Sequence, residues 1–306
     1  MTFLGLDTSN YTTSIAAYGN VCAKNVSRLL PVKEGQLGLR QSDALFHHVQ
    51  QLPDLAHELF SEIDRSDLTG IGVSTRPRAV EGSYMPCFLA GESFAGVLSD
   101  ALGIPLFRFS HQQGHIAAAA WSAGQMALLD EPHLAWHLSG GTTELLLIEP
   151  EGRSVRAARI GGTQDISAGQ LIDRCGKLLG LAFPAGKALD ALSRDSDSER
   201  CFTVKLRGLE FSLSGVQNQV ERYYESGATP EQTARFTLLS VILTVLRTTE
   251  AACKAYPGLR VIFSGGVASN ALLRERAKPY EPIFAAPEYS TDNALGIAVL
   301  AARMEA

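Results

Sequence analysis

The sequence lacks the features of an exported or membrane-spanning protein. Its five cysteines are scattered, and no two of them form a CxxC pair. An odd, unpatterned set of thiols argues against a disulfide framework and favours the reducing cytoplasm. The first seven residues contain no basic segment, so no secretory signal peptide is expected. The longest apolar run, between Arg235 and Arg247, has 11 residues, which is too short for a bilayer and indicates a buried helix.

An excess of positive charge is also missing. The chain has 27 Lys and Arg against 32 Asp and Glu, a formal net charge of −5, and no strong cluster of basic residues. An overall field of this sign does not attract nucleic acid, so composition alone gives no support for RNA contact. Hydrophobic residues make up 45% of the 306 positions. That content predicts one large globular domain or two lobes of about 150 residues each.

Two segments of the chain repeat one pattern without a gap. Residues 4–18 and 134–148 each run from an apolar stretch through a hydroxyl-rich turn into a second apolar stretch, and three hydroxyl residues of the first segment align with Ser139, Thr142 and Thr143 of the second. Each segment predicts a β-hairpin. Exposed backbone N–H groups in such turns suit phosphate binding, while two ordinary surface hairpins are the alternative.

The remaining segments alternate between the helical and the extended pattern. Helices are predicted near 43–63, 90–101, 167–179, 230–256 and 294–304, and strands near 69–74 and 259–263. This alternation indicates an α/β protein with parallel strand pairing. Segment 150–225 is richer in Gly, Ser and charge, and we expect it to be an insertion in the second lobe.

A pair of histidines stands out as a candidate metal site. Ser110 and Gln113 form a capping-box pattern that predicts a helix start, which places His111 and His115 one turn apart on one face. Two such imidazoles suit one metal ion. Asp292, at the start of the last predicted helix, is a candidate third ligand. A first-turn acid that simply complements the helix dipole is the alternative for Asp292.

Two further segments have the character of ligand-binding loops. In 261–270 a buried strand runs into a Gly-Gly turn and a helix start, so a ligand can approach the backbone, although the loop is neither GxGxxG nor GxxxxGK[ST]. The second segment is 161–187, in which Asp173 and Lys177 are four residues apart. They could form an ion pair on the surface of a helix. Alternatively, Asp173 could accept hydrogen bonds from a ribose.

Taken in order, these segments resemble the universal tRNA threonylcarbamoyladenosine transferase family, the TsaD-like proteins once labelled glycoproteases. The resemblance covers most of the chain. It rests on eight segments in register: 5–9, 91–95, 111–115, 139–143, 173–181, 211–215, 264–270 and 291–294.

The resemblance implies an α/β, actin-like ASKHA fold (acetate and sugar kinase, heat-shock chaperone, actin). Two duplicated ribonuclease-H-like lobes would flank a cleft, the first made of 1–132 with the C-terminal helix at about 290–306, the second of 133–289. It also implies one divalent metal ion, Fe or Zn, and an adenine nucleotide. The implied metal ligands are His111, His115 and Asp292, and the implied nucleotide-binding residues are Leu138, Ser139, Gly140, Gly141, Thr142, Asp173, Gly186 and Asn270.

In function, the resemblance implies transfer of a threonylcarbamoyl group from its AMP anhydride to a tRNA adenosine, with an inactive paralogue and a small ATPase as partners. Asp7 and Thr12 of the first hairpin are the candidate catalytic residues. The family's Glu-Thr-Ser-Cys-Asp-Glu-Thr start is here 7–13, Asp-Thr-Ser-Asn-Tyr-Thr-Thr, and its Gly-Pro-Gly loop has become 74–78, Ser-Thr-Arg-Pro-Arg. Two alternatives are a non-catalytic nucleotide-binding partner and a small-molecule kinase, for which Asp7 is the candidate carboxylate. Protease activity is not supported, because the sequence lacks the HExxH motif that would supply its base.

Overall fold

The computed structural model describes residues 1–9, 11–19, 22–31, 39–290 and 292–305. These ranges hold eleven strands: β1 Thr2–Asp7, β2 Thr12–Gly19, β3 Cys22–Leu29, β4 Leu68–Arg76, β5 Leu106–Ser110, β6 His133–Leu138, β7 Thr143–Glu151, β8 Ser154–Thr163, β9 Glu210–Phe211, β10 Val261–Ser264 and β11 Ile283–Phe284. They also hold nine α-helices: α1 Gln41–Phe60, α2 Phe88–Leu102, α3 His111–Ser122, α4 Ala168–Leu178, α5 Gly186–Ser193, α6 Ser214–Glu225, α7 Pro230–Ala255, α8 Ala271–Ala277 and α9 Leu295–Glu305.

The first compact unit is built on a five-stranded sheet in the order β3-β2-β1-β4-β5. It comprises Met1–Glu131, Glu149–Ala157 and Asp292–Ala306. The predicted first hairpin is confirmed, because β1 and β2 pair antiparallel, while β1, β4 and β5 run parallel. Strand β1 is buried along its whole length. Its Leu4 and Leu6 side chains pack with apolar side chains of α1, β4 and α2 in one core.

Helix α9 packs against α3 and against strands β1 and β4 of this unit. Glycines permit that close approach. A Cβ on Gly296 of α9 would overlap the carbonyl oxygen of Gly114 in α3, and a Cβ on Gly5 of β1 would lie 2.6 Å from the backbone nitrogen of Ala298. Gly114 stands between His111 and His115, so this crossing fixes where the residues preceding α9 lie relative to the two histidines.

The second compact unit, Pro132–Ile148 with Ala158–Thr291, contains most of a six-stranded sheet in the order β11-β10-β6-β7-β8-β9. The predicted second hairpin is confirmed, because β6 and β7 pair antiparallel. Strands β6, β10 and β11 run parallel. Strand β8 holds the place in this sheet that β3 holds in the first. Between β8 and α7 lie α4, α5, β9 and α6, for which the described residues of the first unit show no counterpart.

Most predicted helices lie within two or three residues of the observed ones. The helix predicted at 43–63 is observed at Gln41–Phe60. No side chain caps the start of this helix, and at its end the Ser61 hydroxyl donates to the Glu58 carbonyl. Neither end therefore carries the usual sequence signals.

Helix α7 is long and apolar enough to cross a membrane, but 72% of its apolar window is buried inside the protein. Burial of that kind is what a core helix shows.

Asp165 joins the segment before α4 to the start of α6. Its carboxylate accepts hydrogen bonds from the backbone N–H groups of Leu213 (2.8 Å) and Ser214 (3.1 Å) and from the hydroxyl of Ser212. Burial opposes the charge, but these hydrogen bonds outweigh it and hold the pKa of Asp165 well below its usual range. The ionised carboxylate therefore stabilises this corner of the second unit.

We expect Asp165→Asn to lower the free energy of unfolding by about 1–2 kcal/mol at pH 6, because one amide oxygen cannot replace a carboxylate with several donors. Since the folded-state pKa is depressed, the stabilisation is present above the unfolded carboxyl pKa of about 4 and is lost as pH falls below it. Urea unfolding should thus show a smaller difference between variant and parent at pH 3 than at pH 6. Asp195→Asn, an exposed acid of the same unit, is the control.

Candidate functional site

The candidate metal site forms where parallel strands of the first sheet end. Strand β1 ends at Asp7, and β5 ends at Ser110, directly before α3. The predicted capping box is present. The Gln113 N–H donates to the Ser110 hydroxyl at 3.2 Å, and the Ser110 N–H donates to the Gln113 side chain at 2.8 Å. This cap makes His111 the first residue of α3.

The structure brings the three predicted metal ligands together. His111, His115 and Asp292 each offer one ligand atom, and these atoms all lie within 4.8 Å of one another. The two Nε2 atoms are 2.9 Å apart. One carboxylate oxygen of Asp292 lies 3.6 Å from Nε2 of His111 and 3.4 Å from Nε2 of His115. Two imidazole nitrogens and one carboxylate oxygen therefore face a common point.

Asp7 contacts His111 on the ring nitrogen opposite to the one that faces the other two candidate ligands. One oxygen of its carboxylate lies 2.7 Å from Nδ1 of His111, and the other accepts the backbone N–H of Ser9 at 2.8 Å. The residue is only 1% exposed. A carboxylate bound to the far nitrogen of a metal-ligating histidine fixes the ring orientation and its tautomer, which leaves Nε2 as the atom available to a metal.

Asp7 and His111 each stabilise the charged form of the other. Burial disfavours the protonated ring, but the Asp7 carboxylate outweighs that effect and raises the pKa of His111 to about 9. Burial likewise disfavours ionised Asp7, yet the charge and hydrogen bond of His111 hold the pKa of Asp7 below its ordinary value. Without a metal, the pair is therefore an imidazolium–carboxylate pair at neutral pH.

The second predicted catalytic residue, Thr12, belongs to the turn that follows Asp7 and starts β2. It is the first residue of β2, is 8% exposed, and its backbone N–H donates to the Ser9 carbonyl at 3.2 Å. Among the described contacts, none joins Thr12 to Asp7 or to the three candidate ligands. Its neighbour Thr13 bonds instead to His48 and Gln51 of α1.

In the second unit, the predicted phosphate loop 138–142 is held closely by its neighbours. The Ser139 N–H donates to the Thr142 carbonyl at 2.8 Å, and the Thr142 N–H donates back to the Ser139 hydroxyl at 3.1 Å. Ser167, the N-cap of α4, donates its hydroxyl to the Gly140 carbonyl at 2.6 Å. A Cβ at Gly140 or Gly141 would meet nothing within 4 Å, so the outer face of the loop is open to a ligand.

The other three predicted nucleotide-binding residues converge on helix α5. The carboxylate of Asp173 accepts the Ala185 N–H at 2.8 Å, just before Gly186 begins the helix. Burial raises the pKa of Asp173. Asn270 caps α8 with its side-chain oxygen and donates its amide at 2.7 Å to Asp190 of α5. No side chain caps the start of α5, so its first N–H groups suit a polar or anionic ligand.

Two contacts of these sites were not predicted from the sequence. One is the Asp7–His111 pair, whose members are 104 residues apart. Asp7 and Ser110 end two parallel strands of one sheet, β1 and β5, with β4 between them, and parallel strands finish at one edge. The other is Asp190, which carried no motif and is recognisable only through its bond to Asn270.

Solved structures resemble the chain over its whole length. HypF, solved in a phosphate- and nucleotide-bound form, superposes with a TM-score of 0.63 at 16% identity, covering 99% of this chain and 46% of that one. The activator of 2-hydroxyisocaproyl-CoA dehydratase from Clostridium difficile gives 0.55 at 14% identity, covering 100% and 96%. At such identities the likeness shows the fold, and it confirms the predicted ASKHA class with two duplicated α/β lobes.

Sequence comparison then defines the family within that class. The model of the TsaD family, tRNA N6-adenosine threonylcarbamoyltransferase, matches residues 32–299. An enzyme of that name from Thermus thermophilus is 31% identical over 99% of this chain and 93% of its own length. The Enterococcus faecalis relative is 32% identical over 75% of this chain, which spans 66% of that relative. The chain belongs to the tRNA N6-adenosine threonylcarbamoyltransferase family.

Proposed function

We propose that the protein is a metal-dependent transferase that moves a threonylcarbamoyl group from its AMP anhydride to an adenosine of tRNA. The observation that carries the proposal is the convergence of His111, His115 and Asp292 on one point, with Asp7 fixing the first histidine. Family membership supplies the reaction class. The relatives' names supply tRNA adenosine as the acceptor.

The side chains present fit one divalent ion. Two imidazoles and one carboxylate are the ligand set of catalytic zinc sites and of non-haem iron(II) sites, and both leave coordination positions open. Partial exposure of Asp292 (28%) and His111 (19%) leaves room for a ligand on that side. When bound, the ion would polarise an oxygen of the donor as a Lewis acid. The chain's own contribution is to hold three ligand atoms in place and to keep His115, 5% exposed, away from water.

The nucleotide part of the donor is assigned to the second unit. We propose that the phosphate lies on the open loop formed by Leu138, Ser139, Gly140, Gly141 and Thr142. The ribose and base would lie near Asp173, Gly186 and Asn270, around the uncapped start of α5. Backbone N–H groups in a glycine-containing turn and at a helix start suit an anion without adding side-chain charge.

The kinase alternative loses support from the geometry of Asp7. A sugar or acyl-phosphate kinase needs a carboxylate that reaches the substrate, and both oxygens of Asp7 are occupied by Ser9 and His111. A non-catalytic paralogue remains the second candidate. It is favoured by the replacement of the family's two later acids in the first hairpin, where the matching stretch 7–13 has no acid after Asp7.

Asp7→Asn tests the supporting role of the buried carboxylate. Because the pKa of His111 is raised to about 9, metal must displace a proton at neutral pH, so the affinity of the parent should rise about tenfold per pH unit from 7 to 9. In the variant the charge that retains the proton is gone and burial lowers the pKa of His111. The affinity should therefore change little above pH 7, and at pH 9 it should be about 10–100-fold weaker than in the parent.

The measurement is calorimetric titration of Zn²⁺ into metal-free protein at pH 7, 8 and 9. Asp100→Asn, an exposed acid on α2, is the matched control and should follow the parent. If the metal affinity of the parent does not vary with pH, the assignment of a proton to His111 at neutral pH is contradicted. Equal affinities of parent and Asp7→Asn at pH 9 would contradict the supporting role.

The decisive test of the function is complementation. A strain depleted of its own enzyme is supplied with this chain, and its tRNA is digested and searched for threonylcarbamoyladenosine by mass spectrometry. Restored modification with the parent, and none with His111→Ala, is the expected result. Absence of modification with a folded, metal-bound parent would favour the non-catalytic paralogue.

The cellular setting is also proposed. Cys22, Cys87, Cys175, Cys201 and Cys253 are all free thiols, which suits the cytoplasm, where tRNA is modified. An inactive paralogue and a small ATPase are proposed as partners on family grounds, and no membrane partner is proposed, since α7 is a buried helix.

A further inference from the structure

The segment 76–86, which we name the arginine loop, is anchored at both ends beside the candidate metal site. At its start, Arg76 of β4 is in register with Ser110, the residue before His111, and the Pro77 carbonyl accepts the Gln112 N–H at 3.0 Å. After its end, the Cys87 carbonyl accepts the hydroxyl of Thr8 at 3.0 Å. Thr8 directly follows Asp7, so both anchors are chain neighbours of the site.

Between its anchors the loop is ordered by its own hydrogen bonds. The Arg78 N–H donates to the Ser83 hydroxyl at 3.0 Å, and the Ser83 N–H donates to the Val80 carbonyl at 3.2 Å. Gly82 takes a positive φ of 75° within this turn. The loop therefore presents its side chains from a defined backbone.

The exposed side chains of the loop include two arginines, one acid (Glu81) and one aromatic ring. Arg76 and Arg78 are exposed, and Tyr84 is 63% exposed. Guanidinium groups contact phosphates, and an exposed aromatic ring provides a stacking surface for an unpaired base. A small nucleotide donor offers few phosphates, and its proposed site is in the second unit. An RNA strand offers many phosphates and splayed bases, so RNA is the ligand that this loop surface suits.

We propose that the arginine loop binds the RNA acceptor, with Arg76 and Arg78 on its phosphates and Tyr84 stacked on an unpaired base next to the reacting adenosine. This inference rests on the proposed function, since it takes tRNA as the acceptor. It also explains how a chain of net charge −5 reaches RNA: through a local contact at the site instead of through its overall field.

The test is binding of a fluorescently labelled, unmodified tRNA transcript to the full chain at several salt concentrations. In Arg76→Ala/Arg78→Ala we expect affinity to fall roughly tenfold or more at about 0.1 M salt, and the log–log salt slope to drop by about 1 for each lost phosphate contact. Tyr84→Ala should weaken binding roughly tenfold, whereas Tyr84→Phe, which keeps the ring, should not.

Arg65→Ala is the matched control, because this exposed arginine precedes the amino end of β4, the opposite edge of the same sheet. Equal affinity and slope in the double variant and the parent, or an equal loss in Arg65→Ala, would overturn the proposal. Thermal melting of each variant verifies that the fold is retained.

A kinetic readout separates this proposal from the proposed function. With the parent forming threonylcarbamoyladenosine, the loop variants should raise the KM for tRNA about tenfold or more and leave the KM for the AMP anhydride and Zn²⁺ affinity unchanged. If the loop variants show parental KM for tRNA, the loop assignment fails while the function stands. If the parent itself forms no product and binds no tRNA, the function fails and the loop assignment with it.

Discussion

His115→Ala should abolish stoichiometric metal binding and lower the transferase rate by about a thousandfold or more. The loss of one of three protein ligands removes a bond that no neighbouring side chain among the described residues is placed to replace, and a bound metal contributes several kcal/mol to stabilising a transition state. The two measurements are metal content after gel filtration and the rate of threonylcarbamoyladenosine formation. Since His115 is 5% exposed, the melting temperature is recorded as well.

The control for this variant is His57→Ala, which removes an exposed histidine from α1 of the same unit. It should keep full metal content and full rate. A folded His115→Ala protein that still holds one equivalent of metal would contradict the ligand assignment. Full metal loss with an undiminished rate would instead contradict the role of the metal in transfer.

Gly296→Ala should destabilise the first unit by about 3 kcal/mol or more, because the added methyl overlaps the Gly114 carbonyl and backbone cannot move aside as a side chain can. The melting temperature should fall by roughly 6–12 °C. Since the same helix crossing sets the distance between Asp292 and the two histidines, metal affinity should fall as well.

The matched control is the same substitution at Gly96, in the middle of α2. A Cβ there meets nothing within 4 Å. Alanine is the better helix former, so Gly96→Ala should raise stability by about 0.5–1 kcal/mol. The two variants are thus expected to change stability in opposite directions. A Gly296→Ala protein as stable as the parent would show that α3 and α9 do not cross as described.

Much of the fold was predictable because local signals agreed with tertiary structure. The ungapped repeat predicted both hairpins, β1–β2 and β6–β7, and the capping box at Ser110 predicted the first residue of α3. Strand β8 was not separated from the insertion predicted at 150–225. Its alternation is weak, with Gly161 and Gly162 at one end, and its assignment depends on pairing with β7, which is a tertiary property.

The types of metal ligand at the candidate site were predictable from the sequence, but the contact that holds His111 in place was not. The spacing of His111 and His115 indicated a shared face. The spacing left two interpretations of Asp292, a third ligand or a common first-turn acid, and the family resemblance favoured the ligand. Asp7 was predicted to be catalytic, and only the structure shows its carboxylate bonded to His111. Such contacts depend on which strand ends meet, and residue spacing along one element does not encode that.

The return of α9 to the first unit also has a consequence for biosynthesis. Asp292 is translated after the whole of the second unit, whereas both histidines leave the ribosome much earlier. A nascent chain that has folded its first sheet therefore offers a metal ion only an incomplete set of the proposed ligands. On the proposed function, stable metal loading waits until α9 docks on the first unit, so metal content would report that the chain from β1 to α9 has been made and folded.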